Sequence, residues 1–190
     1  VDFVGGSTQG VSATTYGAVR VNNSNGANLS GNATIGGAFT IQNGTVNVLT
    51  NTLTLNSTVT ASGGGILGSS PTGTVIYNQA SNGQTVLPGT FGNITFSNFN
   101  KTLPSGTLNI AGTFTPGTAI GHTTTGNTIN YNGAGAQTIA GFTYNNLSTS
   151  GGGVKTTGLT VNVGGNMTVN SPTTLSVASG SILSVAGTLT

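Results

Sequence analysis

Apolar residues recur at every second position in short runs along the chain. Val19 and Val21, Ile94 and Phe96, Leu108 and Ile110, Leu159, Val161 and Val163, and Leu175 and Val177 all follow this period. A period of two sends successive side chains to opposite sides of the backbone, so each run predicts a half-buried β-strand. Turn signals punctuate the runs: Asn43-Gly44, Asn82-Gly83 and the triple glycine Gly151-Gly152-Gly153. The abundant residue types, glycine, threonine, asparagine and serine, are poor helix formers. The pattern therefore predicts an all-β chain of many short strands.

Three segments of that pattern align with one another. Gln9, Gln84 and Gln137 each stand seven residues before an aromatic residue, Tyr16, Phe91 and Tyr144. A further aromatic precedes each glutamine by six or seven residues: Phe3, Tyr77 and Tyr131. Twenty-three residues beyond the second aromatic comes another large apolar residue, Phe39, Phe114 or Met167, each followed by threonine. The core recurs with a constant internal length, while successive glutamines lie 75 and then 53 residues apart. The chain divides into repeat units of approximately residues 1–74, 75–128 and 129–190, within a single repetitive β domain covering 1–190.

Two architectures fit such repeats. An independent β-sandwich needs about 100 residues, more than any repeat supplies, so tandem small sandwiches are the weaker alternative. A repeat that cannot bury its own face stacks on its neighbours. The favoured fold class is a parallel β-solenoid, or β-helix, built from the three imperfect repeats.

The two ends also read as one another's continuation. Gly73 to Tyr77 and Gly126 to Tyr131 lead into the second and third cores, and Gly187, Thr188, Leu189 and Thr190 followed by Val1, Asp2 and Phe3 repeat that lead-in. These seven residues form a predicted inter-subunit junction. The partners expected there are copies of the same chain head to tail, or adjacent repeats of a longer chain. No leader segment is visible before Val1, which reads as a processed chain or a piece of a longer one.

Composition narrows the chemistry. Glycine (33), threonine (36), asparagine (23) and serine (18) together fill 110 of 190 positions, and cysteine is absent. The chain has one acid, Asp2, three permanent cations, Arg20, Lys101 and Lys155, and one histidine, His122. Paired-carboxylate catalysis needs two acids, and metal sites need clusters of ligands that these residues cannot assemble. No enzyme activity, cofactor or metal is expected. Three scattered cations make no nucleic-acid stripe, and no apolar run reaches the length of a membrane-spanning helix.

The phrases Gly165-Asn166-Met167-Thr168-Val169-Asn170 and Ala111-Gly112-Thr113-Phe114-Thr115 resemble the strand repeats of bacterial surface and fibre proteins, the filamentous-haemagglutinin-like adhesins and autotransporter passenger β-helices. The resemblance extends over nearly the whole chain. It implies a right-handed parallel β-helix, an extracellular or cell-surface location and a structural or adhesive role. The near absence of aspartate sets this chain apart from calcium-dependent versions.

The remaining candidates have modest expectations. His122 reads as an exposed loop residue, and Lys101 and Lys155 as solvated residues at equivalent corners. Asp2 reads as solvated, or as meeting a base across a junction. Phe3, Tyr77 and Tyr131 form one expected row of stacked aromatics and Tyr16, Phe91 and Tyr144 a second, filling the interior or, alternatively, binding glycans. The three glutamines form an amide ladder or satisfy corner backbone groups. Nine Asn-x-Ser/Thr triplets permit glycosylation where the source has the machinery. The pairs Thr52/Thr54, Thr58/Thr60 and Thr113/Thr115 keep no fixed short period, which speaks against a regular threonine array. The expected function is that of a structural subunit of an extracellular fibre, filament or adhesin stalk, polymerising through uncapped β edges as in a biofilm matrix. A glycan- or surface-binding adhesin module and a trimeric phage-type fibre segment are the alternatives.

Overall fold

The computed structural model describes residues 1–190 and contains 27 strands and no helix. Three strands make one turn, and about nine turns stack into a β-solenoid. Every strand pairing is parallel, one turn upon the next. A string of small sandwiches is thereby excluded, since sandwiches are antiparallel. The turn length varies: Asp2 lies opposite Arg20, whereas Thr52 lies opposite Thr74. Thirty-six buried apolar residues form one continuous core along the axis.

The faces follow the order of the strands. The first carries Asp2–Phe3, Val19–Asn22, Phe39–Asn43 and Val59–Ala61. The second begins with Gln9–Val11, Ala27–Leu29, Thr45–Asn47 and Ile66–Gly68, and later turns continue it through Gly89–Phe91, Gly106–Ile110, Asn127–Tyr131, Asn146–Thr149 and Met167–Val169. The third is the six-stranded sheet from Thr15–Tyr16 to Phe114–Thr115. Alternation does the work the sequence predicts: in Thr52–Leu55, Leu53 and Leu55 are buried and both threonines face outward.

Glycine is required where one turn's corner crowds the next. Gly44 has φ of +77°, and a Cβ there would stand 1.9 Å from the carbonyl oxygen of Asn23 in the turn below. Gly44→Ala is expected to lose about 3 kcal/mol or more from backbone strain and overlap, read from the denaturant midpoint. Gly10→Ala, with open space at its Cβ, is the comparison and should change stability by less than about 1 kcal/mol.

The repeats do not keep to one face. Phe3 lies on the first, Tyr77 on the third and Tyr131 on the second. Their spacing is the cause. Thr74–Tyr77 is the eleventh strand after Asp2–Phe3, three turns and two strands further on. Seven named strands and the bridge at Thr123 bring the chain on to Asn127–Tyr131. Each repeat therefore begins two-thirds of a turn further round. The expected rows of equivalent aromatics are corrected on this point. The interior instead carries a string of edge-to-face rings from different repeat positions, Tyr77–Phe96–Phe114–Phe142–Tyr144, with centroids 5.0 to 6.0 Å apart. Tyr131 joins it through Tyr144 at 6.5 Å. Such contacts add about 0.5–1.5 kcal/mol each beyond burial.

Candidate functional site: the polar devices of the repeats

What the repeats do share is a local hydrogen-bonding device. Gln137 accepts the Gly133 N–H on Oε1 at 2.8 Å and donates from Nε2 to the carbonyls of Ile110 and Gly112, one turn below, at 2.9 and 2.8 Å. Gln84 does the same with the Gln79 N–H and the carbonyls of Leu55 and Ser57. Each glutamine thus satisfies corner groups that burial would otherwise leave unpaired. Gln9 accepts the Gly5 N–H at 2.9 Å and an amide proton of Asn23 at 3.1 Å, but its own Nε2 donates to nothing. The three glutamines lie on different faces, so no amide ladder forms between them.

The tyrosines repeat a second device. Tyr77 Oη accepts the Leu87 N–H, and Tyr131 Oη accepts the Ala140 N–H. Tyr131 and Tyr144 share a hydroxyl bond of 2.8 Å, and Tyr144 donates to the Ala140 carbonyl. Burial pushes all three phenols above their ordinary pKa, Tyr131 to about 12. Phe3, Tyr77, Phe91, Tyr131 and Tyr144 are buried and offer no ring face to a sugar. Tyr16 is half-buried and packs edge-on against Phe3.

Both lysines depart from the solvated reading. Lys155 stacks directly on Gln137 and Lys101 on Gln84, and both are buried. Lys155 Nζ donates to the carbonyls of Gly133 and Gly135, while Lys101 Nζ donates to Ser97 Oγ. Desolvation lowers the pKa of both, Lys101 to about 8. An alternating strand sends every second residue inward whatever its charge, and here that residue is lysine.

His122 is likewise half-buried instead of exposed. Its Nδ1 accepts the Lys101 N–H at 2.9 Å, and its ring lies 5.6 Å from Phe96 and 5.3 Å from Phe142. Burial lowers its pKa. It lines a recess of about 270 Å³ with Pro116, Phe142 and Thr160. No nucleophile–base–acid set converges there, because Asp2 is at the far end, bonded to Arg20 of its own chain. No three His, Cys, Asp or Glu side chains gather anywhere.

Five of the nine asparagines of the Asn-x-Ser/Thr triplets are structural. Oδ1 of Asn32, Asn93, Asn100, Asn146 and Asn166 each accepts a backbone N–H from the following turn, at 2.8 to 3.0 Å. Sequence pattern alone missed this role; the signal was asparagine placed immediately before a strand's first inward residue. Threonines from different turns nonetheless line up in part. On the third face Thr15, Thr34, Thr54, Thr95 and Thr115 fall into one outward row, broken by Ile76. Unequal loops between the strands hide that order in the sequence.

The residues of the predicted junction lie at opposite ends of the stack. Val1 is exposed and its amino group donates to the Ala18 carbonyl. At the other end Thr188 to Thr190 have begun a new rung on Met167–Val169: Leu189 faces Met167, and Val169 N–H donates to the Thr190 carbonyl. Leu175, Val177, Leu183, Val185 and Leu189 occupy the interior positions that Lys155, Thr157, Val161, Val163 and Met167 fill one turn below. The lower set is at most 2% exposed, whereas Val177 is 50% and Leu189 55% exposed. No protein family, curated protein or solved structure matches this chain.

Proposed function

We propose that this chain is a structural, non-enzymatic element of an extracellular or cell-surface fibre or stalk. The observation that carries the reading is the architecture: about nine parallel turns stack on one continuous apolar core. Each turn rests only on its neighbours, so further turns, of a longer chain or of another copy, extend the same stack. A heterologous, head-to-tail contact of this kind extends without closing. The small number of charges supports the role, since stacked units barely repel one another. Hydroxyl and amide groups keep the outer faces wetted.

Electron microscopy of the native material, paired with intact mass under denaturing conditions, tests the proposal. Filaments or stalks built from the 18.5 kDa chain, or from a longer chain containing it, are the expected result. Discrete globular particles at high concentration would overturn it.

A further inference from the structure

The stack is interrupted beside His122. Thr123 bridges to Thr102 of the turn before, and Thr143, in the strand Thr143–Tyr144, pairs with Asn162 of the turn after. No bridge joins Thr123 to Thr143, although His122 and Phe142, the residues just before them, hold their rings 5.3 Å apart. A regular rung would close this gap with ladder hydrogen bonds. The chain instead leaves Phe114–Thr115 through Pro116–Ile120, which lies outside every strand. The recess of about 270 Å³ opens between that segment and Gly141–Thr143.

Its lining carries hydrogen-bonding groups with nothing to bond. The hydroxyls of Thr118, Thr143 and Thr160 and the amide of Asn162 belong to exposed residues, and none bonds another residue of the chain. The His122 Nε2 is buried in the wall without a partner. Because Nδ1 accepts the Lys101 N–H, Nε2 carries the proton. The carbonyls of Ala119 and Pro116 stand near it without closing a bond. Such an unmet buried donor is uncommon, and an acceptor oxygen seated in the recess would complete it.

The rim is apolar. Ile120 is 98% and Leu159 82% exposed, the two most exposed large apolar side chains of the chain. Ile120 lines the recess, and the Leu159 Cβ stands 3.3 Å from where a Cβ on Gly141, another lining residue, would lie. Single exposed apolar residues need no explanation, but these two flank one polar hollow. Charge is absent from the lining, and the nearby Lys101 turns its Nζ to Ser97.

These features select a ligand. An ion finds no counter-charge there, and a purely apolar molecule would bury free hydroxyls unpaired. Hydroxyl and amide groups both donate and accept. So do the hydroxyls of a sugar, whose C–H face suits the apolar rim. The hollow is at the small end of ligand pockets and open to solvent, so it takes one ring and lets the rest of an oligosaccharide leave.

We propose that the recess at His122 seats one neutral sugar residue of a glycan, with its hydroxyls on Thr118, Thr143, Thr160 and Asn162 and its C–H face against Ile120 and Leu159. The site is complete within one chain and does not rest on the fibre reading.

Nuclear magnetic resonance tests it, with the methyl glycosides of glucose, galactose, mannose, fucose and N-acetylglucosamine added singly. At least one should bind with a Kd of about 1 mM, the range for so few ligand atoms. The resonances that move should be those of His122, Thr143, Thr160 and Asn162. Asn162→Ala and Thr160→Val should each raise that Kd at least about threefold and leave melting unchanged, as both residues are exposed. Ser184→Ala, one turn beyond Asn162 and off the recess, should bind as the parent does. No binding at about ten times that concentration, where a millimolar site is nine-tenths filled, would overturn the proposal. So would shifts centred elsewhere, or Asn162→Ala and Thr160→Val variants that bind as the parent does. The readout is independent of filament formation, so this proposal and the fibre reading fail separately.

Discussion

Gln137→Leu should destabilise the solenoid by about 4 kcal/mol. The substitution keeps the side chain's bulk and leaves the Gly133 N–H and the carbonyls of Ile110 and Gly112 without partners. Each unmet buried group costs about 1–3 kcal/mol. At this chain length about 4 kcal/mol lowers the melting temperature by roughly 8–16 °C. Gln9→Leu removes bonds only at a half-exposed site and should cost about 1 kcal/mol. Thermal melts followed by far-ultraviolet circular dichroism compare the two. Equal, small effects would mean that the repeated glutamine fills space and does not satisfy the corner.

Stability should rise with pH above 8, peak near 10 and then collapse. Lys101 titrates at about 8 in the folded chain because burial disfavours its charge, against 10.5 ordinarily, and Lys155 is shifted in the same direction. Between those values the unfolded chain binds more protons than the folded one, so unfolding becomes harder as pH rises. The phenols act in the opposite sense. Tyr77, Tyr131 and Tyr144 hold their protons to higher pH than the ordinary 10 of an unfolded tyrosine. Above 10 the unfolded chain is the one that has lost protons, and stability falls. On the acid side only His122, with its lowered pKa, and the exposed Asp2 contribute. The loss below about pH 6.5 should therefore be shallow. Denaturant midpoints from pH 3 to 12 would show the profile. Lys101→Met should raise stability at pH 7 by about 1–2 kcal/mol and flatten the rise between 8 and 10. A profile that falls steadily from 7 to 10 would contradict the burial of the lysines.

Both expectations come from polar groups inside the stack, and these were the least legible part of the sequence. The glutamines stood out as repeated positions, but their acceptors lie 25 to 29 residues earlier. No local pattern names such partners. Lys101 and Lys155 looked like surface charges because lysine usually is one. The strand's alternation carried them inward, and carbonyls at the neighbouring corner made that tolerable for Lys155. The asparagine caps were hidden for the same reason, since each Oδ1 serves a backbone N–H of another turn.

The sequence by itself determined the all-β class, the short strands and their inward residues, and the stacking of repeats too small to fold alone. These follow from local alternation and from the area a short repeat can bury, which need no knowledge of distant contacts. Only the tertiary structure decided which residues stand above one another. Turns of unequal length rotate each repeat by two-thirds of a turn, which scatters the equivalent aromatics over three faces and gathers unrelated threonines into one row. Vertical neighbours are set by the summed lengths of all intervening corners, so they become visible only when the whole chain is wound.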